Sequence, residues 1–449
     1  MSVLTLAIII AFISGYVCIA IESVTHINKA AIALLMMVAC WTLFMVNPGE
    51  FLPGYTGDAL YEQVNHLLQL HLGDTATTLF FLMGAMTIVE VVDQNGGFNF
   101  VRNALKTTHK RRLLWSIAFM TFFLSAILDN LTTTIVMIMV LHKLVDDRAD
   151  RLIYASAVVI AANSGGAFSP IGDVTTIMLW NASVITAAGV IMEIFIPSLV
   201  SMAVPIFCLQ YTLRGKLHKP ELDRSDDDEN ELTGRERKAI FFLGVGGLIF
   251  VPVFKHLTHL PPYVGILLVL GLLWLTSEMF YAHLPKERRG DHMQKRVSNL
   301  LSRIDMGTIL FFLGILMAVA CLEEVGVLTV MGQWLNDVSH GNHYLVTGAI
   351  GVISSIVDNV PLVAGCMGMY PLAPTGDMAV DGIFWQLLAY CAGVGGSMLI
   401  IGSAAGVVVM GLEKVTFGWY LRRITPIALL GYLAGMVCYW VLRTFVFGY

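Results

Sequence analysis

The sequence predicts an all-α polytopic membrane protein built from two inverted repeats, and three observations support this prediction. Of its 449 residues, 57% are hydrophobic and only 13% are charged, whereas soluble domains carry about 25% charged residues. Apolar runs long enough to cross a hydrocarbon layer of roughly 30 Å recur along the whole chain. These runs are continuous rather than alternating, so the spans are expected to be helices and not barrel strands. The third observation is an internal repeat.

Four sequence features occur twice in the same order, with offsets of 229 to 233 residues. His26 and Trp41 recur as His259 and Trp274, and the tetrapeptide LFFL that starts at Leu79 recurs at Leu310. The pattern S-x-I-x-D-N that ends at Asn130 recurs ending at Asn359, and G-G-x5-G that starts at Gly165 recurs at Gly395. A nearly constant offset over four ordered matches indicates a duplicated transporter half.

Loop charges indicate that the two halves have opposite orientations. Residues 102–112 carry five Lys or Arg, and the corresponding residues 333–343 carry none. In an earlier pair of corresponding loops the difference is reversed, because residues 47–78 carry no Lys or Arg and residues 283–304 carry six. Lys and Arg concentrate in cytoplasmic loops, so the duplication is predicted to be inverted. An inverted duplication needs an odd number of crossings in each half.

We therefore predict about five transmembrane helices and one re-entrant hairpin in each half. The first repeat covers 1–212, a charged cytoplasmic linker covers 213–238, and the second repeat covers 239–449. The hairpins are 113–141 and 344–372, which carry Asp-Asn near their centres. The predicted spans are 3–21, 29–46, 79–95, 152–179 and 186–212, followed by 239–254, 262–282, 307–326, 384–412 and 425–446.

Three aspartates in apolar surroundings are the candidate functional residues, since a central Asp costs about 2.5–3.5 kcal/mol on insertion scales. Asp129 is followed by Asn130 and three threonines, which together offer carboxylate, amide and hydroxyl oxygens. Such oxygens bind hard cations, and a broken helix adds free carbonyls. Asp358 precedes Pro361, which favours a helix break there. Asp173 ends the segment NSGGAFSPIGD.

Glycine motifs in the middle of two spans predict broken helices at the midplane. NSGGAFSPIGD and GVGGSMLIIGS occupy corresponding positions in the two halves, and irregular backbone at membrane depth is tolerated only beside a cavity or inside protein. Close helix packing is the alternative role for these glycines. The proposed helix-break residues are Gly165, Gly166, Gly172, Gly395, Gly396 and Gly402.

The buried carboxylates suggest exchange of a cation for protons. Burial favours the protonated form of a carboxylate, so Asp129 or Asp173 is expected to hold a proton until a cation displaces it; which of the two does so stays open. The segments 113–141, 152–213 and 344–412 contain no Lys or Arg, which favours a cation over an anion. Two alternatives remain: the aspartates are helix N-caps, or the chain carries or exports an anion such as arsenite or a carboxylate.

The motifs LDNLTTT, VDNVPLV and SGGAFSPIGD, together with the inverted repeat, resemble the NhaD-type sodium/proton antiporters of the ion transporter superfamily. The resemblance covers nearly the whole chain. It implies exchange of Na+, or Li+, for H+ across a bacterial inner membrane, a scaffold with a mobile transport domain, and a homodimer. Carriers of dicarboxylates in that superfamily have Ser-Asn-Thr at the hairpin tips, and here Asp replaces the Ser.

The resemblance also assigns the ion site by matching position. It implies Na+ at Asp129, Asp173 and Asp358, with the remaining ligands supplied by Asn130, Thr132, Thr133, Ser169 and Asn359. We expect the membrane lipid, Na+ or Li+, and protons as partners, with no cofactor and no nucleic acid. An intramembrane enzyme is the remote alternative, because the sequence has no H-E-x-x-H motif and an enzyme has no symmetry reason to duplicate its site.

Overall fold

The computed structural model describes residues 2–20, 27–97, 109–213, 232–282, 297–356 and 358–446, with Thr25, Leu105, Thr107 and Gly215. The described residues fold into helices joined by turns and short extended segments, which confirms the all-α class. Some residues that the predictions rest on lie outside the described part. They are most of the linker 213–238, His26, and the counted loop residues Arg102, Lys106, Lys286, Arg288, Arg289, Lys295 and Arg296.

The first half contains eight helices within the described residues. They are α1 (Val3–Ala20), α2 (Lys29–Phe44), α3 (Asp58–Gln94), α4 (Lys110–Leu128), α5 (Asn130–Leu144), α6 (Arg148–Ala167), α7 (Val174–Asn181) and α8 (Ala187–Leu209). A short 3-10 turn, Pro48–Glu50, follows α2.

The second half repeats this order and adds three short helices. Its helices are α9 (Gly234–Thr258), α10 (Pro262–Ala282), α11 (Val297–Leu300), α12 (Met306–Glu324), α13 (Val327–Val338), α14 (His343–Ser354), α15 (Asn359–Met369), α16 (Ile383–Gly395), α17 (Ala404–Glu413), α18 (Phe417–Arg423) and α19 (Thr425–Phe445).

Seven helices in the described part of the chain are long and apolar enough to cross a membrane, namely α3, α4, α8, α9, α10, α12 and α19. The chain is therefore a multi-pass membrane protein. The predicted spans 152–179 and 384–412 are each interrupted, as expected, and form α6 with α7 and α16 with α17. By length and composition α4 can cross fully, so the re-entry of 113–141 stays a prediction.

Two predicted boundaries are wrong. The residues 47–78 were predicted as a loop before a span at 79–95, but α3 already begins at Asp58. Residues 58–78 contain no proline and one glycine, so their polar side chains are compatible with a helix that hydropathy alone does not detect. The linker also ends earlier than 238, because Thr233 and Glu236 form a capping box that starts α9 at Gly234.

The centre of the bundle is formed by α6 and α16, which pack against each other. Every residue from Tyr154 to Ala167 and from Phe384 to Gly395 is buried. Outside them, α2 lies along α12 and α8 lies along α19. Small residues allow these close approaches; for example, a Cβ added to Gly314 would meet the backbone of Ala33.

Equivalent contacts occur at equivalent positions of the two halves. The Ser125 hydroxyl donates to the Ala162 carbonyl at 2.7 Å, and the Ser354 hydroxyl donates to the Ala392 carbonyl at 2.9 Å. These bonds join α4 to α6 and α14 to α16. They agree with the duplication, whereas the inversion stays a prediction.

Candidate functional site

Asp129 separates α4 from α5 and caps α5. Its Oδ1 accepts a hydrogen bond from the Thr132 backbone N–H at 2.7 Å, and its Oδ2 accepts one from the Thr132 hydroxyl at 3.0 Å. The backbone of Asp129 has φ +91° and ψ 160°, a region that is essentially confined to glycine. The two helices are thus separated by a residue with a strained backbone, and the hydrogen bonds from Thr132 to its carboxylate stabilise this conformation.

Asp358 occupies the corresponding position before α15. Its Oδ1 accepts a hydrogen bond from the Val360 backbone N–H at 3.3 Å. Its Oδ2 lies 3.4 Å from Nζ of Lys29, at the start of α2. The same ammonium lies 4.3 Å from the centre of the Phe311 ring. Lys29 lies far from the site in sequence, and no sequence signal indicated it.

The N-cap alternative therefore describes the geometry of both Asp129 and Asp358. A carboxylate has about four lone-pair positions, so capping leaves acceptor positions for a cation. Asp173 differs from both, because its side chain makes no capping hydrogen bond at the start of α7.

The chain between α6 and α7 packs against the end of α4 through the glycine motif. Gly165 lies in the last turn of α6, where a Cβ would meet the Phe122 carbonyl, and a Cβ on Gly172 would meet the Ser125 carbonyl. The hydroxyl of Ser169 donates to the Ala126 carbonyl at 2.5 Å. The glycines thus border the helix break and also permit close packing, so the two predicted roles coincide.

The second glycine motif has the same geometry. Gly395 ends α16, and a Cβ there would meet the Gly351 carbonyl. A Cβ on Gly166 would meet the carbonyl of Gly172, and one on Gly396 would meet the carbonyl of Gly402. All six proposed helix-break glycines therefore lie at, or within one turn of, the two interruptions.

Asp173 is the most enclosed of the three aspartates, with 2% of its surface exposed. Its Oδ2 accepts hydrogen bonds from the Thr175 hydroxyl at 2.8 Å and from Nδ2 of Asn359 at 3.1 Å. Its Oδ1 accepts one from Nδ2 of Asn130 at 3.4 Å. The Asp-Asn motifs of both halves therefore meet at this carboxylate through their asparagines.

The polar network continues to the second interruption. Nδ2 of Asn130 also lies 3.2 Å from Oδ1 of Asn163, and Nδ2 of Asn163 donates to the Ser403 hydroxyl at 2.9 Å. Ser403 is the repeat counterpart of Asp173 and caps α17. Asn163 and Thr175 were not among the site residues predicted from the sequence, although both are polar and lie within or close to the NSGGAFSPIGD segment.

Two predicted site residues have other surroundings. Thr133 is buried, and its hydroxyl has no hydrogen-bond partner among the described residues. Ser169 is used in the contact with Ala126. In the described part of the chain, no three His, Cys, Asp or Glu side chains form a metal-binding cluster. The site is thus one enclosed carboxylate with amide and hydroxyl neighbours, flanked by two capping aspartates.

A cavity of about 470 Å³ is lined by later residues of the two helices that follow Asp173 and Asp358. It is lined by α3, α7, α12 and α15, and its polar lining residues include Asp74, Thr78, Asn181 and Glu323. His71, also in the lining, has its Nε2 2.8 Å from Oε1 of Glu324. The helices that start next to Asp173 and at Asn359 thus contribute to a cavity whose acidic groups come from α3 and α12.

Comparison with known proteins agrees with these motifs. A family model described as a citrate transporter matches residues 16–387. The chain is 45% identical to sodium/proton antiporter 1 of Arabidopsis thaliana, over 96% of this chain and 72% of the relative. It is 32% identical to the Na(+)/H(+) antiporter NhaD of Vibrio parahaemolyticus, over 84% of this chain and 94% of the relative. It is 30% identical to the Na(+)/H(+) antiporter NhaD of Alkalimonas amylolytica, over 95% of this chain and 88% of the relative.

Proposed function

Because the chain belongs to the citrate transporter family and is related over most of its length to Na+/H+ antiporters, including those of the NhaD type, we propose that it exchanges Na+ for H+ by alternating access. Li+ is the proposed second substrate. The observation that carries the proposal is the enclosed carboxylate of Asp173, which receives one asparagine amide from each half of the chain.

The chemistry of this site suits a proton or a small cation as alternative occupants. An enclosed carboxylate is costly unless it is neutralised, and its hydrogen-bond partners here are the hydroxyl of Thr175 and the amides of Asn130 and Asn359. A proton neutralises it directly. A sodium ion does so with oxygen ligands, which the hydroxyl and the two amide groups also carry. Competition between the two occupants couples their movements.

The remaining ion-site residues are proposals that rest on proximity. Asp129 and Thr132 adjoin Asn130 at the end of α4. The hydroxyl of Thr133, which has no hydrogen-bond partner among the described residues, is a further proposed ligand oxygen. Asp358 adjoins Asn359, but its Oδ2 lies 3.4 Å from the Lys29 ammonium, so we place it beside the ion site and do not assign it as a ligand of the transported ion. Ser169 has a supporting role, because it fixes the loop before Asp173 to the end of α4. The acidic cavity is the proposed route by which cations reach the site.

The topology of the transporter is also a proposal. We infer two inverted repeats, 1–212 and 239–449, whose Asp-Asn segments enter the membrane from opposite sides. We further propose a homodimer in the inner membrane of a bacterium. The bacterial NhaD relatives support that location, whereas the Arabidopsis relative has the higher identity. Membrane fractionation of the source cells tests it.

The test of exchange uses everted membrane vesicles and a fluorescent dye that reports their pH gradient. Addition of Na+ is expected to dissipate the gradient with the native chain and to have no effect with Asp173→Asn. Asp147→Asn is the matched control, because Asp147 is an exposed capping residue of α6 and its variant should exchange normally. Normal exchange by a folded Asp173→Asn would disprove the assigned site.

The family description leaves anion transport as the second candidate. Its supporting observation is the citrate transporter model that matches residues 16–387. Uptake of labelled citrate into proteoliposomes distinguishes the two functions, since Na+/H+ exchange requires no citrate. Citrate uptake without Na+-driven proton movement would replace the proposal.

A further inference from the structure

The ion pair between Lys29 and Asp358 joins two different parts of the bundle. Lys29 begins α2, which packs along α12 and against α1, whereas Asp358 begins α15. The ammonium lies 3.4 Å from Oδ2 of Asp358 and over the ring of Phe311. A positive charge from outside the Asp-Asn segments thus reaches one of the three aspartates.

Pro361 explains why Asp358 has an oxygen available for this pair. In the first half, Thr132 donates both its backbone N–H and its hydroxyl to Asp129. The repeat offset places Pro361 at the position of Thr132, and proline has neither donor. Asp358 therefore caps α15 with Oδ1 alone, and its Oδ2 remains for the lysine.

The second half has no lysine at the position that corresponds to Lys29, so Asp129 has no equivalent partner there. The offset of 233 residues that relates His26 to His259 relates Lys29 to Pro262. Asp129 is consequently compensated by neutral donors, and Asp358 is compensated by a full positive charge. The duplication has left two Asp-Asn segments with different electrostatic surroundings.

We propose that Lys29 is a tethered cation, whose ammonium neutralises Asp358 in place of a transported ion, so that exchange runs through the first-half carboxylates alone. Lys29 acts through Asp358 and is a positioning residue. The inference rests on the proposed Na+/H+ exchange and specifies which aspartates the transported ions use.

The surroundings of Asp358 are consistent with this role. Tyr16 of α1 and Asp173 also lie within electrostatic range of Asp358. Lys29 thus offsets the repulsion between two carboxylates. The side chains of Lys29 and Asp358 are 30% and 26% exposed, so water screens the pair and the two groups can separate when α15 moves relative to α2.

The test is a double-mutant cycle in proteoliposomes that measures the rate of Na+-driven proton movement and the H+/Na+ ratio. The ratio comes from the combination of Na+ gradient, pH gradient and membrane potential at which net flux stops. Lys29→Met removes the positive charge beside Asp358, and Asp358→Asn removes the carboxylate beside Lys29. Each should lower the rate about tenfold, as expected for loss of a charged hydrogen bond. Lys29→Arg should restore it. The double variant should approach the native rate and keep the native ratio.

Lys255→Met is the matched control. Nζ of Lys255 donates to the Trp180 carbonyl at 2.8 Å and lies over the Trp180 ring. This lysine thus has a similar setting, without a carboxylate partner among the described residues. Its variant should retain the native rate.

The possible results separate the inference from the proposed function. If the double variant is as slow as Asp358→Asn, Asp358 contacts the transported ion and the inference is wrong. It is also wrong if Lys29→Met behaves like Lys255→Met. A native chain that shows no Na+-driven proton movement would instead refute the proposed exchange. Size-exclusion profiles of all variants identify those that do not fold.

Discussion

Nδ2 of Asn359 donates a hydrogen bond to Oδ2 of Asp173 at 3.1 Å, and this bond links the start of α15 to the start of α7 across 186 residues of chain. The donor belongs to the second Asp-Asn motif and the acceptor to the first glycine motif. The site is therefore shared between the two halves.

Asn359→Ala is expected to weaken Na+ binding without unfolding the protein. It removes one hydrogen bond to a charged group, which contributes about 1.5–3 kcal/mol, so the apparent KM for Na+ should rise roughly tenfold or more. Asn336→Ala on the exposed face of α13 is the control. Dye measurements over a range of Na+ concentrations check the effect. An unchanged KM would mean that Asn359 has only a structural role at the start of α15.

Gly393→Ala should crowd the carboxylate of Asp173. A Cβ at this position would lie 3.2 Å from Oδ2 of Asp173 and 3.0 Å from Cβ of Ala167, so these neighbours must shift. We expect a lower exchange rate with a nearly native melting temperature. Gly271→Ala in α10 is the control, because a Cβ there meets no atom within 4 Å. Equal rates for the two variants would remove Gly393 from the border of the site.

Asp129→Gly should separate stability from transport. Glycine relieves the strain of the positive φ, which costs about 1–3 kcal/mol, and glycine is only a few tenths of a kcal/mol worse as an N-cap. The melting temperature should therefore stay level or rise while exchange is lost with the carboxylate. Asp147 has an ordinary φ of −67°, so the Asp147→Gly variant should have a slightly lower melting temperature and a native exchange rate. A clear drop in the melting temperature of Asp129→Gly would contradict the strain argument.

Cysteine labelling tests the inverted topology. Asp147 and Asp377 are exposed residues in corresponding loops, and the charge pattern predicts that they face opposite sides of the membrane. A membrane-impermeant maleimide should label Asp377→Cys in intact cells and Asp147→Cys only in everted vesicles. The native chain, with its own seven cysteines, supplies the background. Labelling of both variants from one side would exclude the inversion.

Sequence reasoning located the apolar helices and the two interruptions well, because hydropathy and paired glycines act locally along the chain. It did not detect the polar first part of α3, since helix formation there does not depend on apolar side chains. It also gave the three aspartates as equal candidates, because the difference between their surroundings arises only in three dimensions. Asp129 and Asp358 cap helices, and only the packing of distant segments encloses Asp173.

Lys29 shows the same limit most clearly. Its position before an apolar helix resembles that of an ordinary interfacial lysine, and the absence of Lys and Arg from the Asp-Asn segments suggested sites without positive charge. The pairing with Asp358 depends on how α2 and α15 are placed, which spacing along the chain does not encode.

The shell around Asp173 also bears on how such a chain could be divided. Thr175 and Asn130 come from the first half and Asn359 comes from the second, so neither half alone can enclose the carboxylate. Two separate polypeptides, cut within 216–231, would each be inactive and would recover exchange only after assembling with each other. Two copies of the first half would bring two Asp173 carboxylates and no Ser403. The single chain instead combines one Asp173 with one Ser403.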